Sequence, residues 1–281
     1  MLPTRVVDVG DSAHNPKIYE SLPGEEGIYC ALSYCWGRDQ TLTTTSSTLE
    51  DRKVGFHLDR LPKTIRDAVQ LARSLHIKYL WVDSLCIVQD STGDWEREAA
   101  RMCAVYSSAA ITFAAMDSPG NDTIMGGKQG SKSTNNVLFT RGWSLQEIAL
   151  SSRVLWMKTK EIHWTCTSHS ACECDPKLKK DDSRRRSSED WALLWCRLVR
   201  EYTCRRLTHI TDRLPAIAGL AARFQVHLDV PYLYGLWYNS GLLEQLLWFC
   251  SHPMQLTSAN QLNAAYAPSW SWAGCQGRIK L

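Results

Sequence analysis

The sequence predicts an α/β protein: a parallel-sheet core with helices on both faces, followed by a mainly helical C-terminal portion with a small β-hairpin. Three observations lead there. Short β-favouring runs at 29–34, 79–82 and 109–115 alternate with helical patterns, and strand–helix–strand order calls for parallel crossovers. The run at 79–82 is continuously apolar, as in a strand covered on both faces. From Trp191 onward, Leu and Trp recur mainly at helical spacing.

Residues 1–30 read as short extended pieces broken by Gly10, Pro16, Pro23 and Gly24. The first strand, 29–34, ends on Cys35-Trp36-Gly37, where the glycine permits a turn. Residues 41–59, rich in Thr and Ser, read as a loop with room for a short helix. Pro62 suits a first helical turn, since its missing N–H would have no partner there. Ile65, Ala68, Val69, Ala72 and Leu75 then share one helical face, opposite Arg66, Asp67, Gln70 and Arg73. This helix delivers the chain to strand 79–82, which stops on Asp83. In open α/β sheets, sites lie outside the carboxyl ends of the strands, so Asp83 stands where recognition or chemistry is expected.

After a loop at 90–94, Trp95, Ala99, Met102 and Tyr106 form the stripe of a second helix. Glu96 and Glu98 fall near its start, where acidic groups complement the helix dipole. Strand 109–115 follows, and then a Gly-, Asn- and Ser-rich segment at 117–136, a loop long enough to lid a site. In Arg141-Gly142-Trp143-Ser144-Leu145-Gln146-Glu147, Ser144 and Glu147 have capping-box spacing, which predicts a helix start. Residues 153–157 and 161–165 alternate as a hairpin would. Lysines and arginines at 177–186 surround Asp181 and Asp182 without apolar period, so 176–188 reads as solvated linker. Helical patterns follow at 191–202, 214–224 and 242–249, and alternating Trp270 and Trp272 read as a strand or extended arm over 268–275. The expected division is an α/β domain over 1–170, a basic linker over 171–190, and a helical portion over 191–281 packed on the core.

Net charge is only +3, which gives no argument for a nucleic-acid partner. No run of about 18 apolar residues and no secretory-type N-terminus stand in the sequence, so a cytoplasmic protein is expected. Neither GxGxxG nor GxxxxGK[ST] occurs, which removes those phosphate-loop readings. Eleven cysteines without a secretory signal favour reduced, mostly buried thiols. His163, Cys166, His169, Cys172 and Cys174 crowd together but match no standard two-pair zinc spacing. No metal is expected, and a zinc site on Cys166, His169 and Cys172 is the alternative.

The candidate site is a convergence at one sheet edge. Ser33, Tyr34, Trp36 and Gly37 follow the first strand and Asp83 the second. Glu96 and Glu98 open the next helix, and Arg141, Trp143 and Glu147 come from the later helix start. Carboxylates, a guanidinium and aromatic walls suit a sugar- or nucleotide-sized ligand. The same groups also suit a purely architectural network: Asp83 capping its own turn, Arg141 pairing with Glu147. Cys86, three residues past Asp83, is a conceivable nucleophile with no histidine in a catalytic context.

Several motifs carry a family resemblance. ALSYCWG (31–37), LPKTIRDAVQLARSLHIKYLWVDSLCIVQD (61–90) and RGWSLQE (141–147) resemble the fungal heterokaryon-incompatibility (HET) domain. LTHITDRLPAIAGLA (207–221), GLW (235–237) and APSWSWA (267–273) resemble the region that follows it in many members. The resemblance implies nonself recognition ending in programmed cell death, with protein partners such as an upstream sensor or a second copy. It supplies no reaction. At the level of fold, 29–115 is also similar to TIR domains, some of which cleave NAD with a helix-borne glutamate. That similarity implies Glu98 or Glu96 as catalytic carboxylate, Asp83 as a second one, and NAD as substrate and not as resident cofactor.

Overall fold

A computed structural model describes residues 1–36, 42–116, 137–159, 161–180, 191–253 and 267–281. The chain forms two compact units: Met1–Leu138 with Leu150–Arg185, and Phe139–Ala149 with Arg186–Leu281.

The first unit contains β1 (Arg5–Asp8), β2 (Lys17–Glu20), β3 (Tyr29–Ser33), α1 (Leu49–Val54), α2 (Lys63–Ser74), β4 (Tyr79–Trp81), α3 (Asp83–Cys86), α4 (Thr92–Ser108) and β5 (Ile111–Ala115). After α5 (Gly142–Leu150), most of which belongs to the second unit, come β6 (Arg153–Met157), β7 (Ile162–Cys166), β8 (His169–Cys172) and β9 (Asp175–Lys180). These nine strands make one sheet in the order β2-β1-β4-β3-β5-β6-β7-β8-β9. Its centre, β4-β3-β5-β6, is parallel; the flanking pairs are antiparallel.

Numbered among themselves, the parallel strands stand in the order 2-1-3-4, the flavodoxin-like arrangement, with its switch point between β3 and β5. The crossover carrying α2 runs to one side of β3 and that carrying α4 to the other, so right-handed connections place the helices on opposite faces. All five residues of β3 are buried, as two covered faces require. Tyr29 Oη donates to the Val105 carbonyl at 2.7 Å, Tyr106 Oη donates to that of Leu32 at 3.1 Å, and Trp81 meets Tyr106 edge-on at 5.5 Å. Against the other face α2 buries Ile65, Ala68, Val69 and Ala72, whereas Leu75, the last residue of the expected stripe, follows the helix end and is 44% exposed.

The structure adds strands that the sequence reading lacks. β1 and β2 pair antiparallel and join the core through β4, although 1–30 reads as broken pieces. Each is four residues long with charge at its ends, too short for period-2 patterning to stand out. The basic stretch is likewise not all linker: β9 occupies Asp175–Lys180 and pairs with β8, while 181–190 lies outside the described residues. Backbone pairing needs no apolar side chain, so composition alone conceals it.

In the second unit, α5, α6 (Trp191–Tyr202), α7 (Pro215–Leu228) and α8 (Leu242–Leu246) accompany two small two-stranded antiparallel sheets. These are β10 (Tyr232–Leu233) with β11 (Leu236–Trp237), and β12 (Phe249–Pro253) with β13 (Gly277–Lys280). Its centre is aromatic. Trp195, Trp237 and Trp272 are fully buried, and Trp195 meets Trp237, Phe224 and Tyr232 edge-on at 5.2, 5.3 and 5.6 Å. The Gly235 carbonyl accepts from both Trp195 Nε1 and Trp272 Nε1, each at 2.9 Å. One backbone oxygen therefore links GLW to the later SWSWA segment.

Three local expectations change here. The helix expected at 242–249 ends at Leu246, and Phe249 already belongs to β12. Trp270 and Trp272 alternate not on a strand but around a turn: Ser271 Oγ accepts from Ala273 N at 3.0 Å, and a 3-10 turn spans Trp272–Gly274. A serine hydroxyl binding its own downstream backbone competes with strand pairing. Ser144 does not cap a helix either, because α5 starts two residues earlier at Gly142. A Cβ at Gly142 would stand 2.5 Å from the Leu207 side chain. Ser144 Oγ instead donates to the Arg141 carbonyl at 2.8 Å and accepts from Arg205 Nη1 at 2.9 Å.

Candidate functional site

The parallel register sets Ala31 beside Trp81 and Ser33 beside Ala114, so β3, β4 and β5 end at one edge. Asp83 sits there as the first residue of α3, only 4% exposed. Its two carboxylate oxygens each accept from Trp36 Nε1 at 3.0 Å, and Oδ1 also accepts from Ser84 N at 2.8 Å. Tyr34 Oη donates to Ser84 Oγ at 2.9 Å, which ties the segment after β3 to the segment after β4. Ser33 is buried at the strand end. The backbone then locks over this corner: Thr44 N donates to Ser84 O at 2.9 Å, and Gln89 N donates to Thr44 O at 2.8 Å. Gln89 Nε2 reaches the Asp83 carbonyl at 3.1 Å. Ser33, Tyr34, Trp36 and Asp83 are thus brought together, while Gly37 lies outside the described residues.

Beside this corner is a charge network that sequence reasoning missed. Because β1 runs antiparallel to β4, its first residue, Arg5, lies at the same edge as the end of β4. Arg5 is buried, donates from Nε to the Cys86 carbonyl at 2.8 Å, and pairs through Nη2 with buried Asp94. Asp94 also accepts from Arg97 Nη2 and, at 2.8 Å, from Val88 N. Burial by itself would raise the Asp94 pKa. The Arg5 and Val88 hydrogen bonds, with the charges of Arg5 and Arg97, outweigh it and hold the carboxyl below the usual 3.8. A sequence signal for half of this existed: Asp94 and Glu98 are four apart and share a helix face.

Glu98 is 1% exposed, with Arg97 Nε and Arg101 Nη1 each 3.7 Å from Oε1. Glu96 is exposed and belongs to a different face of α4. The two alternative glutamates therefore stand in different environments. Cys86 is fully buried, and desolvation pushes its thiol pKa up to about 12, which removes it as a nucleophile near neutrality. We expect brief iodoacetamide treatment of the folded protein at about pH 8 to modify exposed Cys204 and spare Cys86. Peptide mass spectrometry reads the result, and equal labelling of both would contradict the burial described.

Arg141, Trp143 and Glu147 belong to the second unit. Arg141 Nη1 lies 3.6 Å from Glu147 Oε1, and Trp143 Nε1 donates to Asp212 Oδ2 at 3.1 Å. Burial raises the Asp212 pKa against the lowering effects of Trp143 and His209.

The zinc alternative does not assemble. Among the described residues, the group within ligand distance of one another is Glu161, Cys172 and Cys174, without Cys166 or His169. Cys172 and Cys174 are moreover joined as a disulfide, against the expectation of reduced thiols. His169 Nδ1 is engaged with Ser168 Oγ at 2.9 Å.

The β3-to-β5 half of the first unit is also what comparison with known proteins picks out. Residues 29–136 match the family model described as Heterokaryon incompatibility protein (HET). No curated protein and no solved structure matches the chain. No helix among the described residues is long and apolar enough to cross a membrane. The segment 29–136, which contains the Trp36–Asp83 corner and the helix bearing Asp94 and Glu98, is thus similar to the heterokaryon-incompatibility family.

Proposed function

We propose that this chain is a cytoplasmic effector of fungal heterokaryon incompatibility, a module that signals nonself recognition toward programmed cell death by contacting protein partners. The observation that supports signalling over catalysis is the engagement of the edge carboxylates with internal donors: Asp83 with Trp36 and Ser84, Asp94 with Arg5, Arg97 and Val88. Carboxylates committed in this way position backbone and leave little for a substrate. An upstream sensor or self-association supplies the trigger.

One observation favours a second reading, an NAD glycohydrolase switched on by clustering. Glu98 is a buried carboxylate on α4, in the crossover from β4 to β5, and its Oε1 accepts no hydrogen bond among the described residues. A buried carboxylate can stabilise the oxocarbenium-like centre that forms as nicotinamide leaves the ribose and water replaces it. The two nearby arginines weaken that case by compensating its charge.

Inducible expression in a fungal host, with viability and the NAD pool measured in the same cells, separates the readings. The signalling reading expects death with the NAD pool intact, and death retained in a folded Glu98→Gln variant. Early NAD loss that disappears together with toxicity in Glu98→Gln would replace it with the enzymatic reading. No effect on viability would remove the effector reading.

A further inference from the structure

We propose that the second unit binds a phosphate-bearing small molecule in an arginine-lined cleft between the end of α6 and the start of α7. This rests on the cleft alone and not on the effector reading. The cleft measures about 730 Å³ and is formed by residues 203, 205–211 and 213 with Gln276 and Gly277. Cofactor- and nucleotide-sized ligands occupy about 300–1,000 Å³, so the volume is right for more than a lone inorganic ion.

The walls are cationic. Arg205, Arg206 and Arg213 line the cleft, with His209 as a further donor and Thr208 and Gln276 as neutral hydrogen-bonding groups. No carboxylate is among the lining residues. Of the carboxylates closest in sequence, Glu201 Oε1 accepts from the cleft's own Arg205 Nη2 at 2.6 Å and offsets one of the three charges, while Asp212 accepts from Trp143. Three guanidiniums around one cleft call for an anion with several acceptor oxygens, and planar guanidinium matches phosphate in a bidentate way.

The arginines are also mounted before any ligand arrives. Arg206 N donates to Thr140 O at 2.6 Å, and Arg206 O accepts from Gly142 N at 2.7 Å. The side chain is exposed and makes no ion pair among the described residues. Arg205 is fixed by Ser144 and Glu201. Arg213 is buried, reaches the Gly277 carbonyl at 3.4 Å, and lies over the Trp272 ring at 5.6 Å. Arg205 and Arg213, whose side chains are already held, lose little conformational freedom on binding, whereas the Arg206 guanidinium is anchored only through its backbone. A run that reads in sequence as part of one family motif, LTHITDR, thus becomes one wall of a cleft.

The chemistry does not distinguish a nucleoside polyphosphate from an inositol polyphosphate, so both are probes. Isothermal titration of the full chain with ATP, inositol hexakisphosphate and inorganic phosphate, at matched ionic strength, is the test. We expect one-to-one saturable binding of at least one organic polyphosphate, and whichever arm binds more tightly identifies the source. Arg206→Ala with His209→Ala, both exposed positions, should weaken it ~10-fold or more. Arg206→Glu should abolish it. Thermal melts without ligand establish that each variant is folded, and whichever variant melts like the parent decides. Saturable binding by neither polyphosphate, response to inorganic phosphate only, or affinity unchanged in a folded variant would overturn the proposal.

Discussion

Asp94→Ala should destabilise the first unit by about 3–5 kcal/mol, the usual cost of removing one partner from a buried ion pair. The loss has two parts. Arg5 would be left in the interior without its carboxylate, and Val88 N would lose the acceptor that fixes the turn into α4. Arg5→Ala should cost a similar amount. The double variant should fall well short of the sum, because the second substitution removes a charge already stranded. Urea unfolding at neutral pH measures all three; additive losses would show that the pair is not the stabilising unit. The acid response has a definite sign. Asp94 has a folded pKa below its unfolded value, so its contribution is complete above about pH 4 and is lost as pH falls through the folded pKa. Asp94→Asn should therefore flatten the acid limb of the stability curve relative to the parent.

Gly235→Ala should destabilise the second unit by roughly 3 kcal/mol, combining backbone strain with overpacking. Gly235 has φ +100°, and a Cβ there would stand 2.5 Å from Trp272 Nε1 and 2.6 Å from Cε2. The same residue's carbonyl receives both indole N–H groups, so displacing it would loosen Trp195 and Trp272 together. Trp272→Phe is the informative companion. It removes one hydrogen bond, worth about 0.5–1.5 kcal/mol, while the Gly235 carbonyl keeps Trp195 Nε1 as donor. Chemical denaturation followed by tryptophan fluorescence reads both. Near-parental stability in Gly235→Ala would mean that the tryptophan cluster is not packed as described.

What was legible in the sequence was local. The runs at 29–34, 79–82 and 109–115, and the stripe Ile65-Ala68-Val69-Ala72, specify strands and helices whose order already implies parallel pairing. The Trp36–Asp83 meeting followed, because both residues stand just past adjacent strand ends. Arg5 was not legible. Its role depends on β1 lying antiparallel beside β4, about seventy residues away, and a four-residue strand gives too little pattern to reveal that. Glu96 and Glu98 stood as equal alternatives in the sequence; the fold separates them, because residues two apart point to different faces, one exposed and one buried. Arg141, Trp143 and Glu147 were grouped with the sheet edge because their motif follows it in sequence. Their observed partners, Asp212 among them, lie within the second unit.

The chain passes between its units three times, at 138–139, 149–150 and 185–186, and this interleaving governs how it can be dissected. No single scission yields both halves. A fragment stopped before residue 186 keeps α5 but discards Arg206 and Gly219, whose backbones hold Gly142 and Gln146. A fragment begun after residue 185 has the opposite vacancy. Any function lost on truncation would therefore report an orphaned helix as readily as a missing surface. A faithful excision removes both 139–149 and 186–281 and rejoins Leu138 to Leu150 through a linker, leaving the nine-stranded sheet with only its own sequence.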